Sequence, residues 1–177
     1  MHRLPPLVAL AVSLLASGAA RAQQTQQPPT QNPLDVVPDK MPFDIPYGAP
    51  ISLSRAQAVV AAAQAEAERR GWKLNIAVVD SGGNLVAFAR MDGAQLASIA
   101  VSEHKARTSV LFRRETKVFE AAIQGGNTYT VTLDGVIGSR GGIPLVEGGK
   151  LIGAIGCSGG TGSQDEVVAK AGAALVR

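Results

Sequence analysis

Apolar residues recur at helical spacing through Leu53, Ala56, Val59, Val60, Ala63 and Ala67. That spacing predicts an amphipathic helix entered through Ser52 or Ser54. Ser54 and Gln57 have capping-box spacing, and Gly71 is the expected C-terminal stop. The period then changes. Residues 74–80 (LNIAVVD) form a short, mostly apolar run, residues 81–84 (SGGN) a hairpin turn, and residues 85–90 (LVAFAR) an alternating return strand. Asp92, with Gln95 three residues on, predicts the cap of a second helix over about 94–112. This helix reads as apolar on two sides. Leu96, Ile99, Ala106 and Val110 make one stripe, and Ala97, Val101, Thr108 and Leu111 the other, with His104 among them. Such a helix packs on two things: the sheet, and either a partner subunit or a ligand.

Residues 116–124 predict a further short helix. Past Gly125-Gly126-Asn127, the β-branched run 128–133 reads as a strand or an extended connector. Strand 143–146, turn 147–150 and strand 151–157 follow. Ser163 with Glu166 predicts the cap of a last helix reaching Val176. Helix, hairpin, helices, hairpin, helix leaves no place for long βαβ units. The expected class is α+β: an antiparallel central sheet flanked by helices, an α/β/α sandwich.

The first 50 residues are different material. His2 and Arg3 precede an apolar run from Leu7 to Leu15, and Ala20-Arg21-Ala22 has small-x-small form. Residues 1–22 therefore read as a signal peptide cleaved near Ala22, which predicts a periplasmic or secreted protein. The run is too short for a membrane span, which needs about 20 apolar residues. Residues 23–50 carry prolines at 28, 29, 33, 38, 42, 46 and 50. Proline at that density forbids helix and interrupts any ladder, so this is an extended arm or linker. Its Phe43, Ile45 and Tyr47 suit docking on a neighbouring surface. Residues 51–177 are the folded domain.

Composition narrows the partners. Aromatics are 4% of the chain, so the core is built from Ala, Val, Ile and Leu. Cleavage removes two arginines, Arg3 and Arg21, from a formal charge of +3, leaving +1. No basic stripe of the kind that binds nucleic acid remains. The single cysteine, Cys157, allows no disulfide within the chain, and its setting in LIGAIGC predicts burial.

Four segments carry a family resemblance: VVDSGGNLVAFARMDGA (78–94), SEHKARTSVLF (102–112), GGIPLVEGGKLIGAIGCSGG (141–160) and QDEVVAKAGA (164–173). Through them residues 51–177 resemble the GlcG/HbpS family of small haem-binding-like proteins, and also the C-terminal domain of PduO-type cobalamin adenosyltransferases. The resemblance implies a profilin-like sandwich and homo-oligomers. It also implies haem binding, with haem storage, sensing or degradation attached to it.

His104 is the only histidine left after cleavage. Imidazole serves as a haem-iron ligand, as a general base, or as a plain surface group. Arg90, at a strand end, and Arg140, in a glycine loop, are candidates to hold a haem propionate or another carboxylate. Arg107 is four residues from Glu103, which predicts a helical ion pair. Gly141-Gly142 and Ser158-Gly159-Gly160 are candidates to present N–H groups to an anion, or simply to turn hairpins. Asp165 and Glu166 read as helix-capping acids. No H-x-x-x-H or C-x-x-C spacing occurs, so no structural zinc is expected. No P-loop or G-x-G-x-x-G occurs, so no nucleotide is expected either. The sequence thus predicts a haem-binding protein. The alternatives are a protein or enzyme acting on a small organic acid, with Arg90 or Arg140 holding its carboxylate, and a non-catalytic homo-oligomeric module.

Overall fold

Ser52 opens the first helix: its hydroxyl accepts the Arg55 N–H, and α1 runs Leu53–Arg69. One of the orphan first-turn amides is satisfied in this way. Gly71 leaves the helix at φ +69°, the left-handed exit that favours glycine. The computed structural model describes residues 35–176. It divides into units 1–39 and 40–177, and the second holds the fold. The expected signal peptide lies outside the described residues. No described helix is long and apolar enough to cross a membrane.

After α1 come β1 (Asn75–Asp80), β2 (Leu85–Arg90), α2 (Ser98–Leu111), α3 (Lys117–Gln124), a 3₁₀ turn (Thr128–Thr132), β3 (Gly142–Glu147), β4 (Lys150–Ser158) and α4 (Gly162–Ala173). Two hairpins, β1–β2 and β3–β4, join through β1 and β4 into one sheet of order β2-β1-β4-β3, antiparallel throughout. A hairpin alone is marginal, so each stabilises the other. The central strands are accordingly buried along nearly their whole length. Helices α1 and α4 cover one face over Val59, Ile76, Val78, Ile155 and Val168. Helix α2 covers the other over Val79, Ala106, Val110, Leu151 and Ala154. The fold is the expected α+β sandwich of three layers.

Three local expectations are corrected. Helix α2 starts at Ser98, because Gly93 turns the chain at φ +76° and the Ala94 N–H bonds the Met91 carbonyl. Asp92 caps nothing, and the Gln95 carbonyl instead takes the Asn75 side-chain amide at 3.0 Å. Residues 128–132 are a 3₁₀ turn, where the Thr132 hydroxyl donates to the Tyr129 carbonyl at 2.6 Å. Local hydroxyl–carbonyl bonding of this kind offers β-branched threonine an alternative to a ladder. Helix α4 is capped two residues early, by Thr161 and Gln164 in a reciprocal capping box. Glu166 is free of that duty and bonds Lys117 and Lys170.

The apolar stripes expected on α2 also differ from what is buried. Leu96 and Leu111 are 70% and 45% exposed. The inward face is Ser98, Ser102, Lys105, Ala106, Ser109 and Val110. Ser98, Ser102, Ala106 and Ser109 are small because the sheet comes very close. A Cβ on Gly156 would collide with the Ser102 carbonyl, and one on Gly142 with the Lys105 carbonyl. Each buried hydroxyl is satisfied locally: Ser102 donates to the Ile99 carbonyl at 2.8 Å and Ser109 to the Arg114 carbonyl at 3.0 Å.

Residues 40–50 of the proline-rich segment lie on the domain. Leu151 exchanges backbone hydrogen bonds with Pro46 and Gly48, both at 2.8 Å. The Tyr47 hydroxyl donates to the Leu111 carbonyl at 2.9 Å, capping the C-terminus of α2. The Arg114 guanidinium sits over the Phe43 ring, with Phe119 also in reach.

Candidate functional site

Two places gather the candidate residues. The first is the glycine-rich end of the sheet, where the loops bearing Arg140, Gly141-Gly142 and Ser158-Gly159-Gly160 meet the start of α4. Three of their amides are already engaged. Gly160 N–H donates to Asp165 at 3.0 Å, Gly142 N–H to the Thr116 hydroxyl at 2.9 Å, and Arg140 N–H to Glu120 at 2.8 Å. The anion in this cradle is the chain's own Asp165. It is 2% exposed and bonds Lys105, itself 1% exposed, at 2.7 Å. Lys105 also donates to the Cys157 carbonyl at 3.2 Å. A Cβ on Gly141 would lie 3.2 Å from the Lys105 ammonium and 2.9 Å from Asp165. The lysine therefore joins α2 to α4 past bare glycine backbone. Cys157 is buried as expected, and burial pushes its thiol well above the ordinary range.

Neither Lys105 nor Asp165 stood out as a functional pair from sequence. The available signal was a lysine in line with Ser98, Ser102, Ala106 and Ser109 on the small-residue face of a helix. A long cation there must run to an acid within the fold, because nothing else on that face can compensate its charge.

Arg140 is committed too. Its Nε donates to Glu120 at 2.7 Å, and Glu166 lies 3.6 Å from Nη1. Arg140 holds the Glu120 carboxyl below its usual range. Burial pushes Glu166 upward, but Lys170 and Lys117 outweigh it and hold that carboxyl low. Residues 156–160, GCSGG, also have the G-x-S-x-G spacing of a nucleophile elbow. Here that spacing serves packing: Gly156 lies under α2, and Ser158 ends β4 at 5% exposure opposite Asn75. No hydrogen bond joins Ser158 to His104 among the described residues.

The second place is the outer face of α2. Ala100, Glu103, His104, Arg107 and Leu111 fall on one side of the helix and, with Gly135, line a cleft of about 310 Å³. The cleft wall is fixed by Thr108. Its hydroxyl donates to the Gly135 carbonyl at 2.8 Å and accepts the Ile137 N–H at 3.1 Å. His104 and Arg107 are exposed, and Glu103 is half-buried. A second cleft of about 200 Å³ adjoins it, lined by Val79, Gly83, Asn84, Leu85, Glu103 and Arg107. The two share Glu103 and Arg107 and so make one groove. Ala100 and Leu111 are its apolar residues on α2, and Leu111 lies close to Gly83 of the β1–β2 turn. At that turn Asp80 accepts the Gly82 and Asn84 amides at 2.8 and 2.9 Å, which holds the loop in shape.

Arg90 is elsewhere. It lines a cleft of about 390 Å³ with Trp72, Lys73 and Met91, which shares no residue with the His104 cleft. The structure thus keeps His104 apart from both arginines expected to accompany it. The expected Glu103–Arg107 ion pair is absent among the described residues.

The sequence model of a family described as haem degrading protein HbpS-like matches residues 51–174. Protein GlcG of Escherichia coli K12 is 45% identical over 108 residues, which cover 61% of this chain and 81% of GlcG. Among solved structures, HbpS superposes with a TM-score of 0.68 at 30% identity, over 76% of this chain and 95% of HbpS. A PduOC:haem complex superposes with a TM-score of 0.66 at 26% identity, over 73% and 96% of the two chains.

Proposed function

Because the chain belongs to the HbpS-like family, we propose that it binds haem in the groove on the outer face of α2, with His104 as the iron ligand. The observation that carries this reading is the placement of His104. It is the only histidine after residue 2, and it stands exposed in a partly apolar cleft rather than satisfied in the core. Ala100 and Leu111 suit the apolar body of a planar ring, and the imidazole is a good donor to iron. The groove is open on one side, so this face meets one side of such a ring. Haem, when bound, supplies redox-active iron. The chain supplies the ligand nitrogen, an apolar floor and fixed walls. The family description and the haem-bound PduOC structure support the ligand class. Arg140 is bound to Glu120, which weakens the organic-acid reading that relied on it.

Hemin titrated into purified apo-protein is expected to give a saturable Soret shift, and His104→Ala to change both its position and the affinity. Identical spectra and affinities for the two proteins would remove His104 as ligand. No shift with the wild type would remove the haem reading itself.

Export and self-association belong to the same reading. The first is supported by the N-terminal sequence pattern, the second by exposed Leu96, Tyr129 and Val131. Mass spectrometry of the mature protein is expected to place its N-terminus at Gln23, and light scattering to give more than the monomer mass. An intact N-terminus or a monomer mass would sink the corresponding part.

A further inference from the structure

Most cations around α2 already have partners. Lys105 bonds Asp165, Arg140 bonds Glu120, and Lys117 and Lys170 bond Glu166. Arg107 is different. It is exposed, forms no ion pair with Glu103 or with any other acid among the described residues, and lies one helical turn from His104. It is also a wall of both clefts, lining one with His104 and Leu111 and the other with Asn84 and Leu85.

We propose that Arg107 is the anionic anchor of this groove. It receives a carboxylate of the bound ligand while the ligand's apolar body lies over Ala100, His104 and Leu111. This rests on the haem reading above and deepens it, since haem is a planar apolar ring bearing carboxylates. The planar guanidinium fork matches a carboxylate in bidentate fashion, which an ammonium does not. Glu103 lines the same groove but lies outside ion-pair reach, so it leaves the guanidinium donors open. The role given by sequence to Arg90 and Arg140 passes to Arg107, because only Arg107 shares a cleft with His104.

The test is hemin titration of wild type, Arg107→Gln, Arg107→Lys and Lys150→Gln, read by Soret absorbance. Lys150 is exposed at the β3–β4 turn, and its variant matches the change in charge. Arg107→Gln is expected to weaken hemin binding by about 10-fold or more, the worth of a charge-assisted hydrogen bond. Its Soret maximum should stay in place, because the iron ligand is intact. Arg107→Lys should recover part of the loss, and Lys150→Gln should bind as the wild type does. Hemin with both carboxylates methylated should bind the wild type as weakly as hemin binds Arg107→Gln, with no further loss in that variant. Wild-type hemin affinity in Arg107→Gln would overturn the inference and leave the haem reading standing. No Soret response in the wild type would overturn both.

Discussion

Replacing Lys105 with methionine is expected to destabilise the domain by about 3–5 kcal/mol, the usual cost of removing one partner from a buried ion pair. Asp165 would stay 2% exposed with the Gly160 amide as its remaining hydrogen-bond donor. The Cys157 carbonyl would lose the ammonium it now accepts from. The pair also ties together layers on opposite sides of the sheet, so its loss acts on the α2 and α4 contacts together. The net worth of the pair is a separate quantity. Two charges taken from water lose most of what they gain from each other, so Lys105→Met with Asp165→Leu should be far less damaged than either single variant. Urea unfolding of the four proteins measures this as a double-mutant cycle. An unfolding free energy for Lys105→Met within about 1 kcal/mol of the wild type would show that Asp165 is re-solvated and that the pair does not hold the layers together.

The layers themselves were legible in the sequence, because period-2 and period-3.6 runs alternate cleanly and glycines mark the breaks. The two hairpins and α1 fall where those signals place them, within a residue or two, while α4 ends at Ala173, short of the expected Val176. What failed was the reading of α2. Hydrophobic periodicity rightly picked out Ala106, Thr108 and Val110, but it missed Ser98, Ser102, Lys105 and Ser109, which are buried, and added Leu96 and Leu111, which are exposed. The error has a physical source. When glycines let a sheet approach a helix at backbone distance, the contact selects small side chains instead of apolar ones. Gly142 and Gly156 held that information, but their partners lie in another element and become visible only in three dimensions. The candidate site was legible in the same uneven way. His104 and the helix that carries it could be named. Sequence offered Arg140 as a carboxylate holder and gave Arg107 to Glu103, because an internal partner as distant in sequence as Glu120 leaves no local trace.

Gly156→Ala should be the most damaging single-methyl change in the sheet, at about 3 kcal/mol, the upper end of the usual overpacking cost. The added Cβ would meet the Ser102 carbonyl and lie 2.5 Å from the Ala106 amide nitrogen. Both are backbone atoms of α2, so no rotamer change relieves the clash and the helix must move off the sheet. Gly148→Ala is the natural comparison. Gly148 sits in the β3–β4 turn at φ +55° with nothing near its missing Cβ, so its substitution costs only the left-handed backbone penalty of about 1–2 kcal/mol. Thermal or urea unfolding should therefore rank Gly156→Ala well below Gly148→Ala. The function should follow the same order. Ser102 and Ala106 face the sheet, while Glu103, His104 and Arg107 between and beside them form the groove on the reverse side of the helix. Pushing α2 outward strains the Thr108 bonds to Gly135 and Ile137 that set the groove wall. Hemin affinity should accordingly fall in Gly156→Ala and stay unchanged in Gly148→Ala. Equal stability in the two variants would mean that α2 has room to spare, and the close approach would then not explain why its inner face is built from small residues.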